Sequence, residues 1–236
     1  MKNLKIVIAR HDDNSFNEYL KPCLQRFKDN DSVKIAEIFN ESEDSIFKKY
    51  NRGIDLLEVE DDDVFCFIHE DVRILDKYFL EKIKLIFDSK KDIGVLGLIG
   101  TKLFPEQGGW WLTDHKYHFG HLMQGLPNAP TYHMSRGVGF ADDLVSVDGF
   151  CFFLSSEFVK NYRFDDLSYK QAYHFYDVDT CFSALESKFK VAVADILLEH
   201  KSEGPMPQSW HVTKEKFISK WGSKGLKFPV TVSQFK

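Results

Sequence analysis

The sequence has no Cys-x-x-Cys pair, no secretory-type apolar leader and no basic excess, and none of its apolar runs approaches the roughly 18 to 20 residues that cross a bilayer. The four cysteines, Cys23, Cys66, Cys151 and Cys181, are scattered, and three of them sit in apolar runs. They read as reduced, buried thiols of a cytoplasmic protein rather than as a disulfide framework or a zinc site. The net charge of −5 argues against a duplex nucleic-acid partner, whose phosphates call for clustered Lys and Arg. With no transmembrane segment, any membrane association is expected to be peripheral and transient, at the inner face. Repeats, low-complexity tracts and a clear linker are missing as well. What the chain does have is core-forming material: 236 residues, 43% hydrophobic, with 22 phenylalanines, enough for one globular α/β domain.

The first half alternates short apolar runs with helix-like segments, the pattern of a mostly parallel sheet flanked by helices. Strands are predicted at 4–9, 33–39, 64–68 and 93–101, within 144–159 ahead of a short helix, and at 191–200. The lack of alternation in "VFCFI" (64–68) suits a strand buried on both faces. Helices are predicted at 15–27, capped by Asn14 or Ser15, at 42–59, capped by Ser42 or Ser45, and at 76–89 and 177–190. Between 102 and 142 the pattern dissolves into Gly, Pro, Trp and His. So long a stretch is more than a connector and reads as a functional loop.

Several groups could carry chemistry. "VFCFI" runs directly into His69, Glu70 and Asp71, and ligands of open α/β sheets bind beyond the carboxyl ends of strands. Imidazole and carboxylate there suit a divalent ion that takes its remaining ligands from a diphosphate; equally, the end of a strand is polar and Asp71 or Asp76 caps the next helix. Asp177 and Asp179 open an amphipathic segment, where the helix dipole alone favours carboxylates. Two residues apart they point about 200° from each other, so at most one can face a given ligand. His200 ends a strand-like run and is either incidental or a ligand. Asp148-Gly149 interrupts "LVSVDGFCFFL", as a bulge or as backbone lying against a substrate. Trp110 and Trp111 follow two glycines and either stack on a sugar or base or pin their loop.

In their order along the chain these features resemble the nucleotide-sugar glycosyltransferases of the GT-A fold, a Rossmann-like α/β architecture, particularly the bacterial family-two-like members. "IVIARHDDN" is similar to their first nucleotide-binding strand and loop, and "KKYNRGIDLL" to an N-x-G-I segment. "FCFIHEDVRI" stands where the family has an Asp-x-Asp strand end, and "SVDGFCFFLSSEFV" where it has a GG or DG strand. "FYDVDTCFSALESKFKVAV" resembles the acceptor-side E-D-x-D helix and the strand after it, and His200 matches a histidine after that strand. The resemblance covers roughly residues 4–202, with two departures: His69 replaces the first Asp of Asp-x-Asp, and Tyr176 replaces the Glu of E-D-x-D.

The resemblance implies a single domain over 1–236, with a nucleotide-binding part at about 1–101 and an acceptor-side part at about 102–236. It implies transfer of a sugar from a nucleotide-diphosphate donor to a hydroxyl of a glycan, lipid-linked or protein acceptor, assisted by Mn²⁺ or Mg²⁺, with inversion and Asp177 as general base. The metal ligands it implies are Asp71, His200 and His69. Nucleotide and donor contacts fall on Ala9, Arg10, Asp12, Glu41, Asn51, Arg52, His69, Glu70, Asp148 and Gly149; acceptor contacts fall on Trp110, Trp111 and Tyr176. Because of the two departures, a catalytically inactive nucleotide-sugar or glycan-binding protein stays open, as does a metal-dependent nucleotide-diphosphate hydrolase.

Overall fold

A computed structural model describes residues 1–39, 44–126, 129–202 and 206–235. The expected nucleotide contact Glu41 and the expected cap Ser42 lie outside them. The strands are β1 (Leu4–Ala9), β2 (Val33–Ile38), β3 (Val64–Ile68), β4 (Val72–Ile74), β5 (Ile93–Gly97), β6 (Ile99–Thr101), β7 (His118–Gly125), β8 (Tyr132–Ser135), β9 (Ala141–Leu144), β10 (Ser146–Val147), β11 (Cys151–Ser155), β12 (Lys190–Val193) and β13 (Leu198–Lys201). Seven form the central sheet in the order β2-β1-β3-β11-β5-β12-β9. β2, β1, β3, β5 and β12 run one way and β11 and β9 the other, so the sheet is mixed but mostly parallel, as expected. A second sheet has the order β10-β6-β7-β13-β4, with β8 paired to β7.

The helical segment after β1 is α1 (Asp13–Ser15), a π turn at Phe16–Leu20, α2 (Lys21–Leu24) and a 3-10 turn at Gln25–Phe27. Asp12 caps it, not Asn14 or Ser15, because its carboxylate accepts from the Asn14 amide at 2.9 Å. The remaining helices are α3 (Ile46–Leu57), α4 (Phe79–Ser89), α5 (Ser156–Val159), α6 (Tyr176–Glu186) and α7 (Gln208–Ser223). Ser45 caps α3, accepting from the Lys48 amide at 3.2 Å. The central sheet is buried on both sides. Phe65 and Phe67 of β3 point into a core shared with α3, α6 and α7. Val64, Cys66 and Ile68 point into a core shared with α4 and the 13–24 segment, which accounts for the unalternating apolar run.

Three expectations are corrected. The strand expected at 93–101 breaks at Leu98 into β5 and β6, because the Leu98 carbonyl accepts from the His121 amide (3.1 Å) and the chain passes from the first sheet to the second. The strand expected at 191–200 likewise splits into β12 and β13. The 102–142 stretch is not a loop throughout. It holds β7, β8 and the start of β9, short segments (β7 rich in His and Gly, β9 reading Ala-Asp-Asp-Leu) that lack strand periodicity and are held by pairing: β7 with β6, β13 and β8, and β9 with β12. Also unforeseen is α7, which buries Trp210, Thr213, Phe217 and Trp221.

Candidate active site

Two backbone pairings build the site. β3 and β11 stay in register past the end of β3, where the His69 amide donates to the Phe150 carbonyl at 2.9 Å. That sets the Asp148-Gly149 turn beside His69. Three residues on, β4 pairs antiparallel with β13, opposing Val72 to His200, and the Lys201 amide donates to the Asp71 carbonyl at 3.1 Å. Asp71 and His200, 129 positions apart in sequence, thereby become neighbours.

The ligand atoms of His69, Asp71 and His200 lie within 4.8 Å of one another. Asp71 Oδ1 stands 3.6 Å from His200 Nε2 and 3.9 Å from His69 Nδ1. Asp71 Oδ1 and His200 Nε2 are both buried with no hydrogen-bond partner among the described residues, a costly arrangement for polar atoms unless something else satisfies them. Burial, with the His200 imidazole alongside, lowers the His69 pKa to about 3, and burial lowers that of His200 to about 4. Both rings are therefore neutral at neutral pH, with lone pairs to offer. Burial, reinforced by the charge of Glu70, raises Asp71 to about 7, so a cation would draw its proton off. Two imidazoles and a carboxylate around orphaned atoms fit a divalent ion; the nitrogen ligands favour Mn²⁺ over Mg²⁺, which prefers all-oxygen shells. Phe150 stacks on His200 with ring centroids 4.8 Å apart and fixes its plane.

Two cavities meet at this cluster. The larger, about 620 Å³, is lined by Ala9, Asp12, Lys49, Glu70, Asp71 and Lys201 among others; the smaller, about 230 Å³, by Trp110, Trp111, Asp148, Gly149, Asp177 and His200 among others. His69, Tyr173 and Ser202 line both. In the smaller cavity burial, strengthened by Asp148, raises the Asp177 pKa to about 7, against the lowering effect of the Val178 and Gly149 amides. Asp179 faces the opposite way, as helical spacing requires. Its buried carboxylate accepts from Trp221 Nε1 (2.8 Å), Tyr169 (3.0 Å) and Lys220 (2.9 Å) and anchors α7 to α6.

The other residues singled out in the sequence divide between cavity and scaffold. Glu70 accepts from the His11 amide (2.9 Å), the Asp12 amide (2.7 Å) and Arg10 Nε (3.3 Å), holding the loop after β1 against the end of β3. Arg10 is buried over the Phe16 ring at 3.6 Å and also pairs with Glu37 and Asp13. Asn51 brackets Phe164, donating to its carbonyl (2.8 Å) and accepting from its amide (2.9 Å), and Arg52 reaches Asp44 at 3.1 Å; neither lines the two cavities. Asp148 accepts from Trp110 Nε1 at 2.8 Å, so Trp110 is buried and pinned while Trp111 is 43% exposed. Lys49, Lys201, Tyr173 and Trp210 also line the cavities and are not among the residues expected from the sequence. Lys49 lies within "KKYNRGIDLL" and Lys201 directly follows His200; Trp210 belongs to α7, which the sequence pattern does not predict.

A family model described as "Glycosyltransferase like family" matches residues 5–223. No curated protein sequence matches the chain significantly. Among solved structures the chain is similar to that of GalNAc-T7 with UDP, GalNAc and Mn²⁺, at a TM-score of 0.57 and 9% identity over 92% of this chain and 47% of that one. It is also similar to S. aureus TarS 1-349, at a TM-score of 0.51 and 10% identity over 84% of this chain and 60% of that one. At such identities the likeness is one of fold, and the chain spans about half the length of the GalNAc-T7 structure. Among the described residues no helix is long and apolar enough to cross a membrane. From the family match over nearly its whole length, the chain belongs to the glycosyltransferase-like family and carries its GT-A type fold.

Proposed function

We propose that the protein transfers a sugar from a nucleotide-diphosphate donor to a hydroxyl of a glycan, lipid-linked or protein acceptor, with inversion. The observation that carries this reading is a cation-competent cluster with two unsatisfied ligand atoms at the junction of two cavities, one lined by lysines and the other by aromatics and a carboxylate of raised pKa. Asp71, His200 and His69 hold the divalent ion, Mn²⁺ in preference to Mg²⁺. When bound, the ion supplies Lewis-acid stabilisation of charge on the departing diphosphate.

The donor lies in the larger cavity, where Lys49 and Lys201 add positive charge on the diphosphate side and Ala9 and Asp12 border the nucleoside. The acceptor lies in the smaller cavity, with the exposed face of Trp111 offered to an apolar ring surface. Asp177, once ionised, takes the proton of the attacking hydroxyl. A single base facing a single leaving group gives one displacement and inversion. Residues 1–101 then contribute most of the donor side and 102–236 most of the acceptor side. Tyr173, Lys201 and Ser202 line the donor cavity too, so the division is one of roles within a shared sheet.

The test is transfer from a panel of nucleotide sugars in Mn²⁺, with product stereochemistry read by NMR. Asp177→Asn is expected to lower kcat by at least the ~10²-fold typical of a lost general base while leaving nucleotide binding intact. Near-normal turnover in that variant, or retention at the anomeric carbon, rejects the assignment.

A further inference from the structure

The two departures from the family pattern, His69 and Tyr176, touch each other. His69 Nε2 and the Tyr176 hydroxyl are 2.6 Å apart, and the same hydroxyl donates to the Gly149 carbonyl at 3.1 Å. The phenol is held firmly: its ring packs edge-on to Tyr50 and Phe47, with centroids 5.4 and 6.3 Å away, and against Phe152 at 6.1 Å. A Cβ at position 149 would stand 2.5 Å from the Tyr176 oxygen, so the glycine is what admits the ring.

We infer that Tyr176 is a positioning residue for the metal site, holding His69 as the Nε2–H tautomer so that Nδ1 presents its lone pair to the ion. The inference rests on the metal reading above, and hydrogen-bond bookkeeping decides it. A carbonyl only accepts, so the phenolic proton goes to Gly149 and the phenolic oxygen receives the Nε2 proton. The opposite tautomer would turn Nδ1–H toward Asp71 Oδ1, which at 3.9 Å is out of hydrogen-bond reach. It would also draw the phenolic proton away from Gly149. The Nε2–H form keeps both contacts of the Tyr176 hydroxyl, to His69 and to Gly149, and leaves Nδ1 to the cluster. Ligating histidines ordinarily have their second nitrogen fixed in this way. A carboxylate ligates through either oxygen without help, whereas an imidazole has a tautomer to set, and the Tyr176 hydroxyl lies where it can set that of His69.

The test uses the full chain and MnCl₂ alone, with free Mn²⁺ read by electron paramagnetic resonance, in four proteins: wild type, Tyr176→Phe, His69→Asp and the double variant. Tyr176→Phe is expected to weaken Mn²⁺ binding by about 10- to 100-fold, the usual cost of losing a ligand's supporting partner, and to cause no loss in the His69→Asp background. Equal losses in both backgrounds, or none in either, overturn the inference. Independently of metal, ¹⁵N–¹H correlation of the wild-type histidines is expected to show His69 protonated on Nε2; an Nδ1–H signature also overturns it. Failure of wild type to bind Mn²⁺ at all defeats the metal reading instead, and thermal unfolding of each variant separates loss of fold from loss of the ligand.

Discussion

Gly149→Ala is a single added methyl whose consequences can be worked from the packing. Its Cβ would fall 2.5, 2.7 and 2.8 Å from the hydroxyl oxygen, Cζ and Cε2 of Tyr176, all closer than carbon tolerates. The ring cannot retreat easily, because Tyr50, Phe47 and Phe152 close around it. Overpacking of this kind costs about 1–3 kcal/mol, which for a chain of this size is a fall in Tm of roughly 2–12 °C at ~2–4 °C per kcal/mol. The Tyr176 hydroxyl would be pushed off both Gly149 and His69, so Mn²⁺ affinity should fall together with stability. Calorimetric unfolding and Mn²⁺ titration of the same protein read both effects. An unchanged Tm with unchanged Mn²⁺ affinity would refute the reasoning, since it would mean that the ring is not confined as described.

Asn51→Ala removes both bonds to the Phe164 turn and is expected to cost about 1–3 kcal/mol in chemical denaturation while leaving the nucleotide Kd unchanged; a weakened Kd at full stability would return Asn51 to the donor site. With Asp177 raised from 3.8 to about 7, kcat/KM should climb as pH rises through about 7 and then level off. A profile already flat between pH 5 and 8 rules Asp177 out as the base. The same shift has a stability side: the folded protein holds this proton more tightly than the unfolded chain, so the contribution of Asp177 is full below the ordinary 3.8 and is lost as pH rises to about 7. Asp177→Asn should therefore unfold at a higher temperature than wild type above pH 7, and a lower Tm there would contradict the burial argument.

What could be read from the sequence was what local pattern determines. "VFCFI" is buried on both faces because its alternate residues feed two cores, and Asp177 and Asp179 diverge because a helix turns by a fixed angle per residue. What could not be read was set by pairing at a distance. β7 has no periodic signal and exists through β6, β8 and β13, and the contact between His69 and Tyr176 spans 107 positions. For the same reason the N-x-G segment is scaffold in its geometry: Asn51 clamps Phe164, and Gly53 lies so close to Val7 that no side chain fits. A motif marks where a residue type matters; whether it touches a ligand or a neighbouring turn is settled only in three dimensions.

The proposed role of the cation cluster is to form the diphosphate edge of the donor site. Isothermal titration of a nucleoside diphosphate into wild type and Asp71→Ala, each with Mn²⁺ and with a chelator, tests it directly. Binding that requires Mn²⁺ in wild type and is lost in Asp71→Ala at unchanged secondary structure is the predicted result. Equal binding in all four titrations would contradict the account.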